Sequence, residues 1–154
     1  MNKKVVAGDS TLIIPDGTLY HFGVLTSTMH MAWMRYVCGR LKSDYRYSGT
    51  IVYNNFPWPK PTDKQRQLIE EAAQSVLDAR RLFPKSSLAI LYNPQTMPPA
   101  LVKAHRKLDK AVERAYGRSF DDDSQRVAYL FELYQEYCRE LIVTTQKRGK
   151  GRKI

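Results

Sequence analysis

Charged side chains alternate with aromatic ones in residues 39–48, whose sequence is Gly-Arg-Leu-Lys-Ser-Asp-Tyr-Arg-Tyr-Ser. Side chains two residues apart share one face of an extended backbone, so Lys42, Asp44 and Arg46 are predicted to point the same way. Lysine and arginine can donate to the O6 and N7 atoms of guanine, and aspartate can accept from the N4 amino group of cytosine. This face therefore carries the donors and acceptors needed to read base edges in a DNA major groove.

The same alternation is also typical of a solvated edge strand that contacts no ligand. On the opposite face of the segment, Tyr45 and Tyr47 either anchor it on the protein or contact a sugar–phosphate backbone. Arg40, near the start of the segment, is a further candidate contact to the DNA backbone. Spacing alone leaves both interpretations open.

The elements around this segment are predicted from shorter patterns. Two β-branched runs, at 5–7 and 11–14, are separated and closed by turn residues, which is typical of short strands. Apolar residues recur at helical spacing from about 18 to 38, which predicts one long helix that Gly39 ends. A strand is expected around 50–53, and a proline-rich linker follows at 56–61.

The sequence beyond residue 61 is helical in pattern throughout. A capping box at 62–65 opens one helix, 87–92 predicts one or two helical turns, and another helix begins at Pro98-Pro99 and ends at Gly117. Acidic residues at 121–123 suit the N-terminus of a last helix, where the macrodipole favours negative charge. We therefore predict an α+β fold, predominantly α, with short N-terminal strands and a long helix followed by a C-terminal helical bundle.

The proline-rich linker divides the chain into two predicted domains. Residues 1–60 form the first domain and residues 61–146 form the helical second domain. Residues 147–154 contain lysine, arginine and glycine without an apolar pattern, and they are predicted to be a disordered basic tail.

Positive charge is in excess along the whole chain. The 154 residues include 25 lysines and arginines against 15 acidic residues, a formal net charge of +10. Such an excess favours a polyanionic partner, because cations that neutralise phosphates release counterions. The helix that begins at Pro98 carries basic residues at helical spacing, which form either a DNA-backbone surface or a solvated helix face: Lys103, Arg106, Lys107, Lys110 and Arg114.

The chain contains no complete active site that its sequence reveals. Asn93-Pro-Gln-Thr96 lacks the Asn-Pro-Pro-aromatic order of an adenine methyltransferase, and Pro15-Asp16 is not followed by the acid-x-lysine part of a nuclease site. The three histidines, His21, His30 and His105, have no spacing suited to zinc, so no metal or cofactor site is predicted. No apolar run reaches the length of a membrane span, and a cytoplasmic protein is expected.

Five stretches of the sequence resemble one protein family. They are residues 22–35, residues 39–48, the block Asn54-Asn-Phe-Pro-Trp-Pro59, residues 92–99 and residues 127–134. Together they resemble the end of the target-recognition domain and the C-terminal helical domain of MmeI-like enzymes. These are single-chain type II restriction–modification proteins that combine a nuclease, an adenine-N6 DNA methyltransferase and a recognition domain. The resemblance covers nearly the whole chain.

The resemblance implies a function that the chain performs without catalysing a reaction itself. Base-reading positions of the family lie in the segment that matches Lys42, Asp44 and Arg46, and a Lys/Asp pair at the first two would suit a G·C pair. The expected partners are double-stranded DNA and an upstream methyltransferase domain, which would use S-adenosylmethionine in the intact enzyme. Two alternatives remain: a helical scaffold that docks on a methyltransferase subunit, and a standalone DNA-binding protein without sequence preference.

Overall fold

The computed structural model describes Gly8, residues 11–42 and residues 44–150, with side chains described as far as residue 142. The fold is predominantly α with one small sheet, which confirms the predicted fold class. Its elements are α1 (Leu19–Thr26), α2 (Thr28–Val37), β1 (Gly39–Leu41), β2 (Asp44–Arg46), a π-helical turn (Gly49–Tyr53), α3 (Asp63–Arg81), α4 (Leu88–Leu91), α5 (Pro99–Ala115) and α6 (Asp123–Lys150).

The single long helix predicted at 18–38 is two helices, so that prediction was wrong at its centre. Ser27 separates them with an extended backbone (φ −74°, ψ 158°) and is fully buried. Its hydroxyl donates to the carbonyl oxygen of Val24 at 2.6 Å, and the Thr26 hydroxyl donates to the carbonyl of Phe22. Serine and threonine hydroxyls compete with the helical hydrogen-bond ladder in this way. The Ser27 side chain also caps α2, where it accepts from the backbone N–H of His30.

Two predicted strands are not strands in the structure, and a third lies outside the described residues. Residues 11–14 are irregular, and Leu12 and Ile13 are exposed. β-branched side chains favour a strand only where a partner strand can pair with it, and the described residues provide none beside 11–14. Residues 50–53 belong to the π-helical turn, and the Ser48 hydroxyl caps this turn by accepting from the backbone N–H of Ile51. The predicted strand at 5–7 is not among the described residues.

The core forms where α1 packs against α3 and α5. Ile69 on α3 and Leu108 on α5 are fully buried there. Gly23 on α1 allows this approach: a methyl group at its Cα would lie 2.9 Å from a methyl carbon of Ile69 and 3.2 Å from one of Leu108. Contacts below 3.0 Å require a neighbour to move, so a glycine is needed at this crossing.

Residues 56–59, which we call the aromatic–proline segment, are buried except for Trp58, which is partly buried. Three tyrosine hydroxyls from different parts of the helical body donate to three consecutive backbone carbonyls. Tyr116 donates to Pro57 at 2.8 Å, Tyr137 to Trp58 at 3.3 Å and Tyr20 to Pro59 at 3.2 Å. Such bonds satisfy carbonyl groups that the irregular backbone cannot pair with itself. The segment therefore contacts α1, α5 and α6 through these three bonds.

The helices beyond this segment agree with the capping signals in the sequence. Thr62 and Gln65 form the predicted capping box of α3. Residues 88–91 form the predicted short helix α4, and α5 ends before Gly117, which has φ 72°. The backbone of α6 is helical through Lys150, and the disordered tail at 147–154 stays a prediction.

Candidate nucleic-acid interface

Residues 39–46 form a β-hairpin that extends from the end of α2. Its strands are antiparallel, and Leu41 pairs with Asp44, Arg40 with Tyr45 and Gly39 with Arg46. Lys42 lies in the connecting turn with φ 58°. The predicted single extended segment was therefore wrong at Lys42: Asp44 and Arg46 share a face of β2, whereas Lys42 is at the tip.

The two faces of the hairpin carry different side chains. Leu41, Asp44 and Arg46 lie on one face, and the partner of Arg46 is Gly39, where an added methyl group would meet nothing within 4 Å. On the other face, the Arg40 guanidinium stacks 4.5 Å from the centre of the Tyr45 ring and donates to its hydroxyl at 3.2 Å. Arg46 is thus uncrowded by its neighbour across the strands, while Arg40 and Tyr45 hold each other.

The three predicted base-reading side chains are all exposed. Within the part of the chain that the structure describes, Lys42, Asp44 and Arg46 take part in none of the side-chain hydrogen bonds or ion pairs. An exposed carboxylate and two exposed cations that make no such contact with the described residues are available for a ligand.

Tyr47, which follows β2 directly, is held by a histidine of α2. Its hydroxyl lies 3.0 Å from Nε2 of His30, and the His30 ring packs edge-on against Phe56 at 4.6 Å between centroids. His30 is 2% exposed, and burial lowers its pKa to about 4. Burial also raises the pKa of Tyr47 to about 12, so both groups are neutral at pH 7. No local pattern indicates this pair, because 17 residues separate its members.

A cleft of about 870 Å³ lies next to the hairpin. Its apolar lining comes from residues 12–15 and from Leu25, Met31 and Met34, and its polar lining comes largely from residues 46–50. Arg46 and Tyr47 both belong to this lining, so the end of β2 borders an open apolar surface.

The basic residues of α5 form one exposed face, which we call the α5 basic face: Lys103, Arg106, Lys107, Lys110 and Arg114. Its position follows from helical periodicity, since residues 101, 104, 108 and 112 are buried on the opposite side. The acidic residues of α5 are engaged elsewhere: Asp109 accepts from the backbone N–H of Thr28, and Glu113 pairs with Arg126 at 2.7 Å. None of the ion pairs between described residues includes a member of this face.

The histidines have structural partners in the described chain. His105 accepts from or donates to the Tyr92 hydroxyl at 2.7 Å, and His21 lies 3.1 Å from the Thr18 hydroxyl at the start of α1. Among the described residues, no group of histidine, cysteine and acidic side chains is arranged to hold a metal ion. In the same residues, no helix is both long and apolar enough to span a bilayer.

Known proteins resemble this chain along most of its length. A family described as "MmeI, target recognition domain" matches residues 1–60, and one described as "MmeI, C-terminal domain" matches residues 61–142. DNA methyltransferase A of Bacillus subtilis (strain 168) is 48% identical over 125 residues, which are 80% of this chain and 14% of that protein.

A solved structure, that of the type IIL restriction–modification enzyme MmeI in complex with DNA, is 54% identical to this chain, with a TM-score of 0.77. The match covers 80% of this chain and 17% of that one, so this chain corresponds to a small part of each relative. With both family descriptions matched in sequence and the fold matched in structure, the chain belongs to the MmeI family and carries its target recognition and C-terminal domain sequences.

Proposed function

We propose that the hairpin of residues 39–46 reads base pairs of a duplex DNA site from the major groove. A two-stranded β-ribbon is narrow enough to enter that groove, which is about 12 Å wide. The observation that carries the proposal is an exposed hairpin whose Asp44 and Arg46 share one face without a partner in the described chain. Arg46 would donate to a guanine, and Asp44 would accept from a cytosine.

The conformation of Lys42 supports a role for its side chain. Lys42 has a left-handed backbone conformation, which costs a residue with a Cβ atom about 1–2 kcal/mol of conformational free energy. Gly or Asn would suit such a turn better. A lysine at the tip therefore adds nothing to the stability of the turn. It does place an ammonium group where the hairpin would reach deepest into a groove, close to Asp44 in sequence.

The α5 basic face and the outer face of the hairpin are proposed to contact phosphates. Contacts to the DNA backbone position a protein without specifying sequence. Arg40 keeps further N–H groups beyond the one that it donates to Tyr45. Tyr47 would contribute only its ring, since its hydroxyl lies against His30.

The longer protein in which such a segment works is proposed to be an adenine-N6 DNA methyltransferase that uses S-adenosylmethionine. The support is the family membership and the similarity to a protein called DNA methyltransferase A. Upstream domains would supply catalysis and the cofactor site. This chain would bind the target site and orient the duplex toward them.

A fusion tests the proposal. Residues 11–142 replace the homologous segment of the Bacillus subtilis relative, and methylation is mapped on a library of duplexes. The double variant Lys42→Glu with Asp44→Arg should change the preferred base at one position, because a mismatched pair costs about 1–3 kcal/mol, or roughly 5- to 150-fold.

Asp78→Arg with Arg81→Asp is the matched control. It reverses an exposed ion pair on α3 with the same change in net charge, and the site should stay the same. If the hairpin variant also keeps the site, the chain acts as a scaffold and the proposal is wrong. Methylation without any site preference in the unmodified fusion would instead identify a DNA-binding protein that does not read sequence.

A further inference from the structure

Residues 44–47, which comprise β2 and Tyr47, have one side-chain hydrogen bond to a helix in the described chain. β2 bonds to β1 through its backbone, and Arg40 bonds to Tyr45 within the hairpin. The bond from residues 44–47 to the helical body is the one between Tyr47 and His30, at 3.0 Å. Tyr47 follows Arg46 directly, so its ring fixes where the C-terminal end of β2 leaves the body.

The His30 ring is placed by burial and packing, since its Nδ1 has no hydrogen-bond partner among the described residues. It lies on α2 at 2% exposure, and its ring meets Phe56 of the aromatic–proline segment at an interplanar angle of 84°. The adjacent turn of α2 is fixed by Trp33, whose indole N–H donates to the carbonyl of Val52 at 3.0 Å. The hydrogen bond between this buried ring and Tyr47 therefore holds the end of β2 at a defined place relative to the core.

We propose that His30 is a positioning residue for DNA recognition, which acts through Tyr47 to fix the register and tilt of Asp44 and Arg46. This rests on the proposed function of the hairpin. Base-edge hydrogen bonds require donor–acceptor distances near 3 Å, so a strand free to pivot would keep its charges and lose its discrimination. Phosphate contacts tolerate such movement better, because they depend mainly on charge.

The first experiment needs no DNA. Amide hydrogen exchange and ¹⁵N relaxation of the whole chain compare Tyr47→Phe with the wild type. Loss of one neutral hydrogen bond should raise exchange at residues 44–47 about fivefold and leave α3 and α5 unchanged. Tyr53→Phe is the matched control, since Tyr53 lines the same cleft and its hydroxyl has no hydrogen-bond partner among the described residues.

The second experiment measures base discrimination with the fusion described above. Tyr47→Phe should lower discrimination at the base pair read by Arg46 about fivefold, with little change in affinity for unrelated duplexes. His30→Leu should have the same effect, and His30→Gln should restore part of the discrimination because its amide can again bond to the Tyr47 hydroxyl.

Each result decides between the two proposals. Unchanged exchange at 44–47 in Tyr47→Phe overturns the positioning role whatever the DNA experiment shows. If Arg46→Ala alters discrimination and Tyr47→Phe does not, the positioning role is again wrong and base reading stands. If Arg46→Ala has no effect on discrimination, the proposal that the hairpin reads base pairs is wrong, and the positioning role of His30 is wrong with it.

Discussion

Acid should destabilise this protein through His30, and the size of that contribution follows from its burial. The folded chain holds the pKa of His30 at about 4, against an ordinary value of 6.5, because burial penalises the charged ring. A histidine with a lowered folded pKa stabilises the fold fully above 6.5. That contribution is lost as the pH falls from 6.5 through 4.

Between pH 7.5 and pH 5 the expected loss is about 2 kcal/mol, from one proton that the unfolded chain binds and the folded chain does not. His30 is 2% exposed, so solvent screening does not reduce this figure appreciably. For a chain of this size, the midpoint of urea unfolding should fall by roughly 1 M over that range.

The assay is urea unfolding followed by circular dichroism at pH 7.5, 6 and 5, for the wild type and for His30→Gln. Other groups titrate in the same range. Burial also lowers the pKa of His105, which acts in the same direction. The informative quantity is therefore the difference in pH dependence between the two proteins, in which these common contributions cancel.

Glutamine does not ionise, so the free energy of unfolding of His30→Gln should fall by about 2 kcal/mol less than that of the wild type between pH 7.5 and pH 5. At pH 7.5 the variant should be less stable than the wild type. Tyr47→Phe should retain most of it, because burial rather than the hydrogen bond lowers the pKa of His30. An equal slope for His30→Gln and the wild type would refute the reasoning.

Two further pairs of substitutions, each a buried position with an exposed control, test the packing of the helices. Gly23→Ala should lower the free energy of unfolding by about 1–3 kcal/mol, because the new methyl group would overlap α3; Gly39→Ala, which meets nothing within 4 Å, should change it far less. Glu113→Ala should cost about 1–3 kcal/mol, since the Arg126 guanidinium, which is 13% exposed, then keeps only the half-exposed Asp123 as an acidic partner. Asp78→Ala, in an ion pair with both side chains more than half exposed, should cost about 0.5 kcal/mol or less. Thermal or urea unfolding measures all four, and equal effects within either pair would contradict the packing argument.

Local signals in the sequence predicted the helical half of the fold well. The capping box at Thr62, Pro99 at the start of α5 and Gly117 after its end are each recognised from a few adjacent residues. Such signals act within one turn of helix, so they do not depend on what packs against them.

The N-terminal part was predicted less well, because distant contacts decide its structure. The residues 50–53 look like a strand, yet Val52 is buried where the indole of Trp33 donates to its carbonyl. Ser27 ends one helix and caps the next, although its sequence context is continuous with both. The role of residues 56–59 depends on tyrosines up to 79 residues away, which no local pattern indicates.

The candidate site likewise has features that local sequence indicates and features that distant contacts decide. The charged residues of the hairpin were predicted from their alternation, which is a local property of the chain. The turn at Lys42 was not predicted, because it depends on the register of the hairpin. The hydrogen bond between Tyr47 and His30 was not predicted either, because it depends on tertiary packing.

The hairpin's separation from the core has a consequence for how its proposed specificity could vary. Asp44 and Arg46 are exposed in regular strand conformation, so most substitutions there change the free energy of unfolding by about 0.5 kcal/mol or less. At Lys42 the left-handed backbone adds one preference, for glycine or asparagine. His30 and Phe56, by contrast, are buried in contact with each other, and changes there alter the support of the whole strand. In our proposal, base preference can therefore change by substitution at exposed positions while the buried support stays the same. Fold stability would then place little constraint on which base pair this hairpin reads.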